Sequence, residues 1–554
     1  MADKNKIKEC FPYPSARTGQ NELIEQVIDA FDEGKKFVII EAPVGAGKSA
    51  IGFTIGNYYS SYYYITAQKL LQSQLSKDFG EEGKWINDDR KPMIELKGRN
   101  AYPCNYYDRM LEKNDKTMPL AQKQHFEELS KQNINCANGE CKKKGKSKFK
   151  FCDDNETETH YCPYFIQRNK AIESDEVLMN FHSFIFQPEV AGQNWVYKDL
   201  LIIDEAHITE SVLMDFISLS FADTPFGIEF PKLETAEEYY IFFEENSIPE
   251  LIAEKLKFAI TSANTEEEEY WKGITLKYIK FKSSIIDGED WVVKYENKKT
   301  YRTIELKPLF VNKFANNILF NKAERVLMMS GTILSAKIMA DCLGIKEEDY
   351  KFITVDSQFP VKNRLIHYKP SGSMSYKNKR ETMPIMLHDI EKICEEHDND
   401  RGIIHSQSFD LTEFVINGSS YDLKKRLFFQ KNYSNKEMML AAHAASKNGI
   451  IIAPAMSEGL DLKDELSRFQ IILKVPYPSF IENPQLEMRM KISNDYYMFL
   501  TALKIVQSYG RSIRSETDYA STYILDEDFK SFFARSKSIL PKWFKEAIVW
   551  KSHV

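Results

Sequence analysis

The 554-residue sequence has no run of about 18 apolar residues, so no membrane-spanning helix is expected. Its first residues, MADKNKIKECFPYP, lack an apolar core of signal-peptide length, which argues against a secretory route. It has no internal repeat and no long low-complexity linker. Positive charge is not in excess either. Lys and Arg number 74 against 81 Asp and Glu, a net charge of −7, so any surface for a polyanion must be a local patch. Cysteine is scarce, with eight in all, yet five of them fall between Cys104 and Cys162. In the reducing cytosolic compartment expected here, clustered thiols favour metal ligation over disulfides.

What is present is an ordinary globular balance, 43% hydrophobic and 28% charged, over a length that suits three or four domains. Short apolar runs alternate with longer amphipathic stretches, which predicts parallel α/β sheets. The runs are Phe37–Ile40, Tyr62–Ile65, Leu200–Ile203 and Val326–Met329, then Gly402–Ile404, Ile450–Ala453, Phe469–Leu473 and Tyr523–Leu525. They form two groups, one before residue 335 and one after 400, so two α/β domains are expected. Two stretches break the rhythm and read as insertions into the first: a Lys-, Asn- and Cys-rich one at 100–165, and a helical, acidic and aromatic one at 208–320.

Ala42-Pro43-Val44-Gly45-Ala46-Gly47-Lys48-Ser49 fits a phosphate-binding loop between a strand and a helix, with Ala where Gly is usual at its first position. Gly45 and Gly47 let backbone N–H groups turn toward phosphate oxygens at a helix N-terminus. Lys48 is expected on the β- and γ-phosphates and Ser49 on Mg²⁺. A plain glycine turn is the competing reading. Asp204-Glu205-Ala206-His207 follows a buried strand. Asp204 suits Mg²⁺, Glu205 suits the attacking water, and His207 can relay nucleotide state; alone, the four residues would read as a solvated turn. Near the C-terminus, Gln507-Ser508-Tyr509-Gly510-Arg511-Ser512-Ile513-Arg514 puts two arginines on one helical face, suited to the charge on a transferring phosphoryl group or, by default, to solvent.

The cysteine spacing is Cys104-x31-Cys136-x4-Cys141-x10-Cys152-x9-Cys162. An iron–sulfur cubane takes four thiolates and zinc also accepts a C-x4-C pair, so spacing alone leaves both open. Between the ligands, Lys142–Lys150 holds six lysines in nine residues. That is either a solvated loop or a local attractor for phosphates.

In order, these motifs resemble the XPD/DinG group of superfamily 2 helicases, which carry an iron–sulfur cluster. Phe11-Pro12-Tyr13 with Arg17 and Gln20 resembles its adenine-reading entry motif, and Glu41–Ser49 its EAPTGTGKT loop. Thr66–Gln74, Lys97–Cys104, Cys162–Phe165 and Asn180-Phe181-His182 match further steps. Ser330-Gly331-Thr332-Ile333-Leu334 resembles motif III, Ser457–Asp461 motif V, Val475-Pro476-Tyr477-Pro478 the G-x-P-Y-P step, and Gln507–Arg514 motif VI. Asp526-Glu527-Asp528 departs from the family's D-x-R.

The resemblance implies two RecA-like motor domains, with a cysteine-rich cluster domain and a mainly helical Arch-like domain inserted in the first. Its boundaries would be 1–99, 166–207 and 321–360 for the first motor domain, 100–165 for the cluster, 208–320 for the Arch and 361–554 for the second motor domain. ATP and Mg²⁺ would be held by Arg17, Gln20, Gly45, Gly47, Lys48, Ser49, Asp204, Glu205, Gly459 and Asp461. Gln507, Arg511 and Arg514 would act on the phosphates. Cys104 and Cys162 would be the outer ligands of a 4Fe–4S cluster, with Cys136 and Cys141 between them and Cys152 able to replace either. Thr66, Ser406 and Ser457 would hold DNA phosphates, and Trp271 and Trp291 would either stack on bases or fill a helical core. The implied activity is 5′→3′ translocation on single-stranded DNA with unwinding of forks or overhangs, by a monomer in the cytoplasm, nucleoid-associated or in a host cell if viral. Two other readings share the motifs: a translocase that strips proteins or R-loops, and a zinc-containing nucleic-acid-binding ATPase switch.

Overall fold

The computed structural model describes residues 2–43, 45–83, 91–108, 111, 118–132, 134–137, 139, 162–190, 195–262, 264–454, 462, 464–480, 483–513 and 517–550. In chain order the strands begin with β1 (Phe37–Glu41), β2 (Tyr62–Thr66), β3 (Ile94–Leu96), β4 (Glu176–Asn180) and β5 (Lys198–Asp204). Next come β6 (Leu219–Ala222), β7 (Trp291–Asn297), β8 (Arg302–Pro308), β9 (Ala323–Ser330) and β10 (Tyr350–Thr354). The rest are β11 (Ile366–Gly372), β12 (Gly402–His405), β13 (Leu427–Phe428), β14 (Ile450–Ala453), β15 (Phe469–Ile472), β16 (Ser521–Asp526) and β17 (Ile548–Trp550). They form two seven-stranded sheets, ordered β10-β1-β9-β5-β2-β4-β3 and β13-β14-β12-β15-β16-β11-β17, and a three-stranded sheet β6-β8-β7. The two large sheets are RecA-like α/β layers.

The chain packs as two compact units. One comprises Met1–Val38, Ser49–Met328 and Ala340–Lys351; the other comprises Ile39–Lys48, Met329–Met339 and Phe352–Val554. In the first unit β2 lies parallel to both β4 and β5, with Thr66 level with Asn180 and Asp204. Every residue of β2, YYYIT, is buried, as expected for a strand covered on both faces. The same unit holds the small sheet, whose pairs are antiparallel. The helices Ala236–Glu245, Ile248–Thr261 and Thr265–Ile286 belong to the same region. Thr235 and Glu238 close a reciprocal capping box on the first of these. Helical periodicity announced the helices but not the sheet, whose strands are short and carry Lys and Glu.

Trp271 and Trp291 are 6% and 5% exposed, in a cluster of rings. Trp271 meets Phe226 at 6.1 Å and Trp291 meets Phe281 at 5.1 Å, both edge-to-face. Of the two fates open to these residues, stacking on bases or filling a core, both tryptophans take the second.

In the second seven-stranded sheet the six strand pairs among the described residues all run parallel. Alternate residues feed opposite faces. Ile404, Ile450, Ile452, Ile471 and Tyr523 pack on one side, and Ile366, Ile472 and Ile524 on the other. Parallel strands put every C-terminal end on one edge, the edge where loops carry ligand chemistry in such folds.

Candidate functional site

The phosphate-loop residues follow β1 and lead into the helix Lys48–Tyr59. Gly45 and Gly47 take φ of +90° and +75°. A Cβ on Gly45 would also lie 2.7 Å from the Phe359 ring, so conformation and close approach both demand glycine there. Lys48 Nζ donates to the Ala42 carbonyl at 3.2 Å, which folds the ammonium back over its own loop. Ala42 N–H donates to Ser330 O at 2.9 Å, tying the loop to the end of β9.

Glu41 was part of the recognised loop but carried no role in the sequence reading. Its carboxylate is buried and accepts the N–H groups of Ile333, at 2.7 Å, and of Leu334. Burial raises its pKa, opposed by the N–H groups of Leu334 and Ile333. Leu334 adopts φ +61°, a strained conformation held by this contact. Ser330-Gly331-Thr332 is thereby fixed against the phosphate loop, and Gln507 Nε2 reaches Thr332 Oγ1 at 3.4 Å. A Cβ on Gly331 would lie 3.8 Å from Lys48 Nζ.

Asp204 ends β5 and is 1% exposed. Tyr64 Oη donates to its Oδ2 and the Glu205 N–H to its Oδ1, each at 2.9 Å. Burial, then the Asp204 charge, pushes the Tyr64 phenol far up, so it stays a donor. Hydrogen bonds to a charged group contribute about 1.5–3 kcal/mol each, which fixes the carboxylate in one orientation. Tyr64 was legible only as one residue of an apolar run. Glu205 sits at φ +55°, with His207 Nδ1 3.4 Å from its Oε2. Arg17 N–H donates to Gln20 Oε1 at 2.7 Å, and Gln20 is buried.

Arg511 follows the helix Asn494–Tyr509. His405, at the end of β12, is 1% exposed, and its pKa falls to about 4, chiefly by burial, with the Arg511 charge adding to the shift. The His405 ring lies 3.4 Å from Gln470 Oε1, and the Gln470 amide donates to Tyr509 O at 2.7 Å and Thr522 Oγ1 at 2.8 Å. Ser406 is buried and bonded to Thr412 Oγ1 at 2.6 Å, and Thr66 is fully buried at the end of β2. Arg514, Ser457, Gly459, Asp461, Cys141, Cys152 and the lysine run 142–150 lie outside the described residues.

Three cysteines do converge. An antiparallel bridge pairs Pro103 with Asn135. Across it Cys104 N–H donates to Ile134 O at 2.8 Å and Cys136 N–H to Tyr102 O at 2.9 Å. The Cys136 and Cys162 sulfurs lie 3.4 Å apart, and a Cβ on Gly139 would be 2.7 Å from Cys104 Sγ. Cys162 caps the helix Pro163–Glu173. The Cys136 thiol is driven far up, first by its contact with Cys162, then by burial and by the charges of Cys162 and Cys104. Thiolates crowded in this way repel, and a bound cation relieves that repulsion, so the donor set fits a metal group. Among the described residues, however, no three of His, Cys, Asp or Glu close around one metal-sized point.

Two family models match the chain: the helicase C-terminal domain over residues 390–547, and the res subunit of type III restriction enzymes over residues 14–218. The ATP-dependent DNA helicase CHL1 of Meyerozyma guilliermondii is 30% identical over 148 residues. That match covers 22% of this chain and 18% of the helicase, so only a small part of that relative's length is spanned. A Methanocaldococcus jannaschii protein described as a probable ATP-dependent helicase is 23% identical and aligns over 97% of this chain and 95% of its own. A solved XPD helicase superposes with a TM-score of 0.62 at 16% identity, covering 97% of this chain and all of that one.

Proposed function

We propose that the chain, whose ordered motifs and fold resemble those of the XPD/DinG group of superfamily 2 helicases, is an ATP-driven DNA helicase that moves 5′→3′ on single-stranded DNA and opens duplexes at forks or overhangs. The observation that carries this reading is the pair of buried clamps around the nucleotide motifs: Glu41 on Ile333 and Leu334, and Tyr64 on Asp204. Both preset groups for a charged phosphate–metal ligand before it arrives, which is what phosphoryl transfer needs most.

In this mechanism the N–H groups of the Gly45–Lys48 turn and the Lys48 ammonium bind the β- and γ-phosphates. Ser49 and Asp204 hold Mg²⁺. Glu205 takes a proton from the attacking water, with His207 beside it. Arg17 and Gln20 read adenine, Gly459 and Asp461 complete the nucleotide contacts, and Arg511 and Arg514 neutralise charge on the transferring phosphoryl group. Gln507, through Thr332, passes the loss of the γ-phosphate to Ser330-Gly331-Thr332, and Ser457 meets the DNA backbone without reading sequence; Thr66 and Ser406, both fully buried, present no side chain to it and instead support the loops that follow them. The domain limits given above are the corresponding division of labour. A 4Fe–4S cluster bound by Cys104 and Cys162, with two of Cys136, Cys141 and Cys152, would stiffen the 100–165 insertion as a wedge. The convergence of Cys104, Cys136 and Cys162 supports this. The zinc reading shares that observation and parts from it in colour: iron–sulfur protein is brown, zinc protein colourless.

The direct test is unwinding of a forked duplex with either a 5′ or a 3′ single-stranded tail. Unwinding from the 5′ tail is expected; unwinding from the 3′ tail alone contradicts the polarity. No unwinding together with DNA-stimulated ATP turnover favours a translocase that strips bound proteins.

A further inference from the structure

Asp526-Glu527-Asp528 stands where related helicases have D-x-R, and the structure shows what these residues hold. Asp526 is 1% exposed and accepts from three backbone N–H groups: Met374 at 3.1 Å, Val475 at 2.9 Å and Asp528 at 3.1 Å. Asp528 accepts from Ser373 Oγ at 3.1 Å, and Glu527 N–H donates to Gly372 O at 3.0 Å. Thr382 Oγ1 adds a bond to Ser373 O at 2.8 Å, and Met374 is buried as a plug. The loop after β11 is thus fastened on both sides of Met374. Two residues later it presents Tyr376, 89% exposed, the most exposed large apolar or aromatic side chain among the described residues.

A ring held in water on a fastened loop is available to a ligand. The loop backbone is already ordered, and a tyrosine has few rotors to freeze on binding. Its surroundings indicate the chemistry of the occupant. Lys377, Lys379 and Arg380 follow within four residues, and Lys379 Nζ lies 5.5 Å from the centre of the Tyr376 ring. An ammonium on one face leaves the other face for a flat partner, and three cations beside an aromatic ring match a base and its phosphates. The loop lies on the C-terminal edge of the second sheet, the edge shared by Ser406 after β12.

We propose that Tyr376 stacks on an unpaired base of a single-stranded nucleic acid whose phosphates meet Lys377, Lys379 and Arg380. The inference rests on the helicase reading above and adds a binding position to it. Stacking is indifferent to base identity, so the contact grips without reading sequence.

The test is equilibrium binding of a fluorescent oligothymidine, and of the same strand carrying 2-aminopurine, to the full chain. Tyr376→Ala is expected to weaken binding about tenfold or more and to relieve 2-aminopurine quenching, while Tyr376→Phe and Tyr376→Trp retain both. Replacing Lys377, Lys379 and Arg380 by Ser should flatten the salt dependence by ~0.7 in log–log slope per lost phosphate contact, a change Tyr376→Ala should not produce. Equal affinity and quenching in wild type and Tyr376→Ala, or a Phe variant as weak as Ala, overturns this inference alone. A wild type that binds an acidic polypeptide but no oligonucleotide overturns it together with the helicase reading.

Discussion

At the residue scale, the buried Asp204 carboxylate is held in one orientation by the Tyr64 hydroxyl and the Glu205 N–H. Tyr64, which fixes its orientation, lies 140 positions away in a strand whose three tyrosines look alike in sequence. Only the register of β2 against β5 brings Tyr64 and Asp204 together. Removing that hydroxyl takes one donor away from a buried carboxylate. Tyr64→Phe should therefore lower apparent Mg²⁺ affinity and ATP turnover by roughly tenfold, at a stability cost of about 1–3 kcal/mol. A Mg²⁺ titration of turnover, paired with denaturant unfolding, checks both. Lys48→Ala should abolish turnover while leaving single-strand binding intact, and residual turnover near wild type would refute the phosphate-loop assignment. His405 yields a prediction in pH. Its folded value of about 4 lies below the ordinary histidine value of 6.5, so the unfolded chain binds the proton first. Stability should fall as pH drops from about 6.5 toward 4, and His405→Gln should flatten that limb of the unfolding curve.

At the scale of elements, the buried central strands announced themselves as apolar runs, because covering on both faces demands it. Some of their neighbours did not. β11 reads IHYKPSG and β13 has two residues, so neither carries a period long enough to see. The small antiparallel sheet was missed for a related reason: β7 and β8 put Lys and Glu on their outer face, in a stretch dominated by helices. Its core is a nest of rings, including Phe221, Phe243, Phe281 and Trp291. Phe281 is fully buried, so Phe281→Ala should cost about 3–5 kcal/mol. Hydrogen exchange should show the loss of protection concentrated in residues 219–308, with the parallel sheet of the second unit unchanged. Equal loss in both would mean the ring nest is not a separable packing unit. The Asp526-Glu527-Asp528 departure also resolves at this scale. Among the described residues no ion pair to Asp526 takes the place of the absent arginine. Asp526 is instead satisfied by backbone N–H groups, and burial raises its pKa to about 6.

At the scale of the whole molecule, two RecA-like sheets carry the ordered motifs of a helicase family on a chain of net charge −7. No described helix is long and apolar enough to cross a membrane. A global positive field is absent, so the proposed nucleic-acid partner would have to be met by local groups, which is why basic residues beside an exposed ring at 376–380 carry weight. The cysteine insertion was legible as a cluster of thiols, and the structure brings Cys104, Cys136 and Cys162 toward one another. Loss of iron from Cys104→Ser, measured on anaerobic protein, would support that assignment, and unchanged iron would remove Cys104 from the ligand set. The central claim is that ATP hydrolysis is coupled to a single DNA strand. Its most direct measurement is ATP turnover by the wild-type chain with and without single-stranded DNA. Strong stimulation by DNA that Lys48→Ala abolishes is expected; turnover indifferent to DNA would refute the coupling.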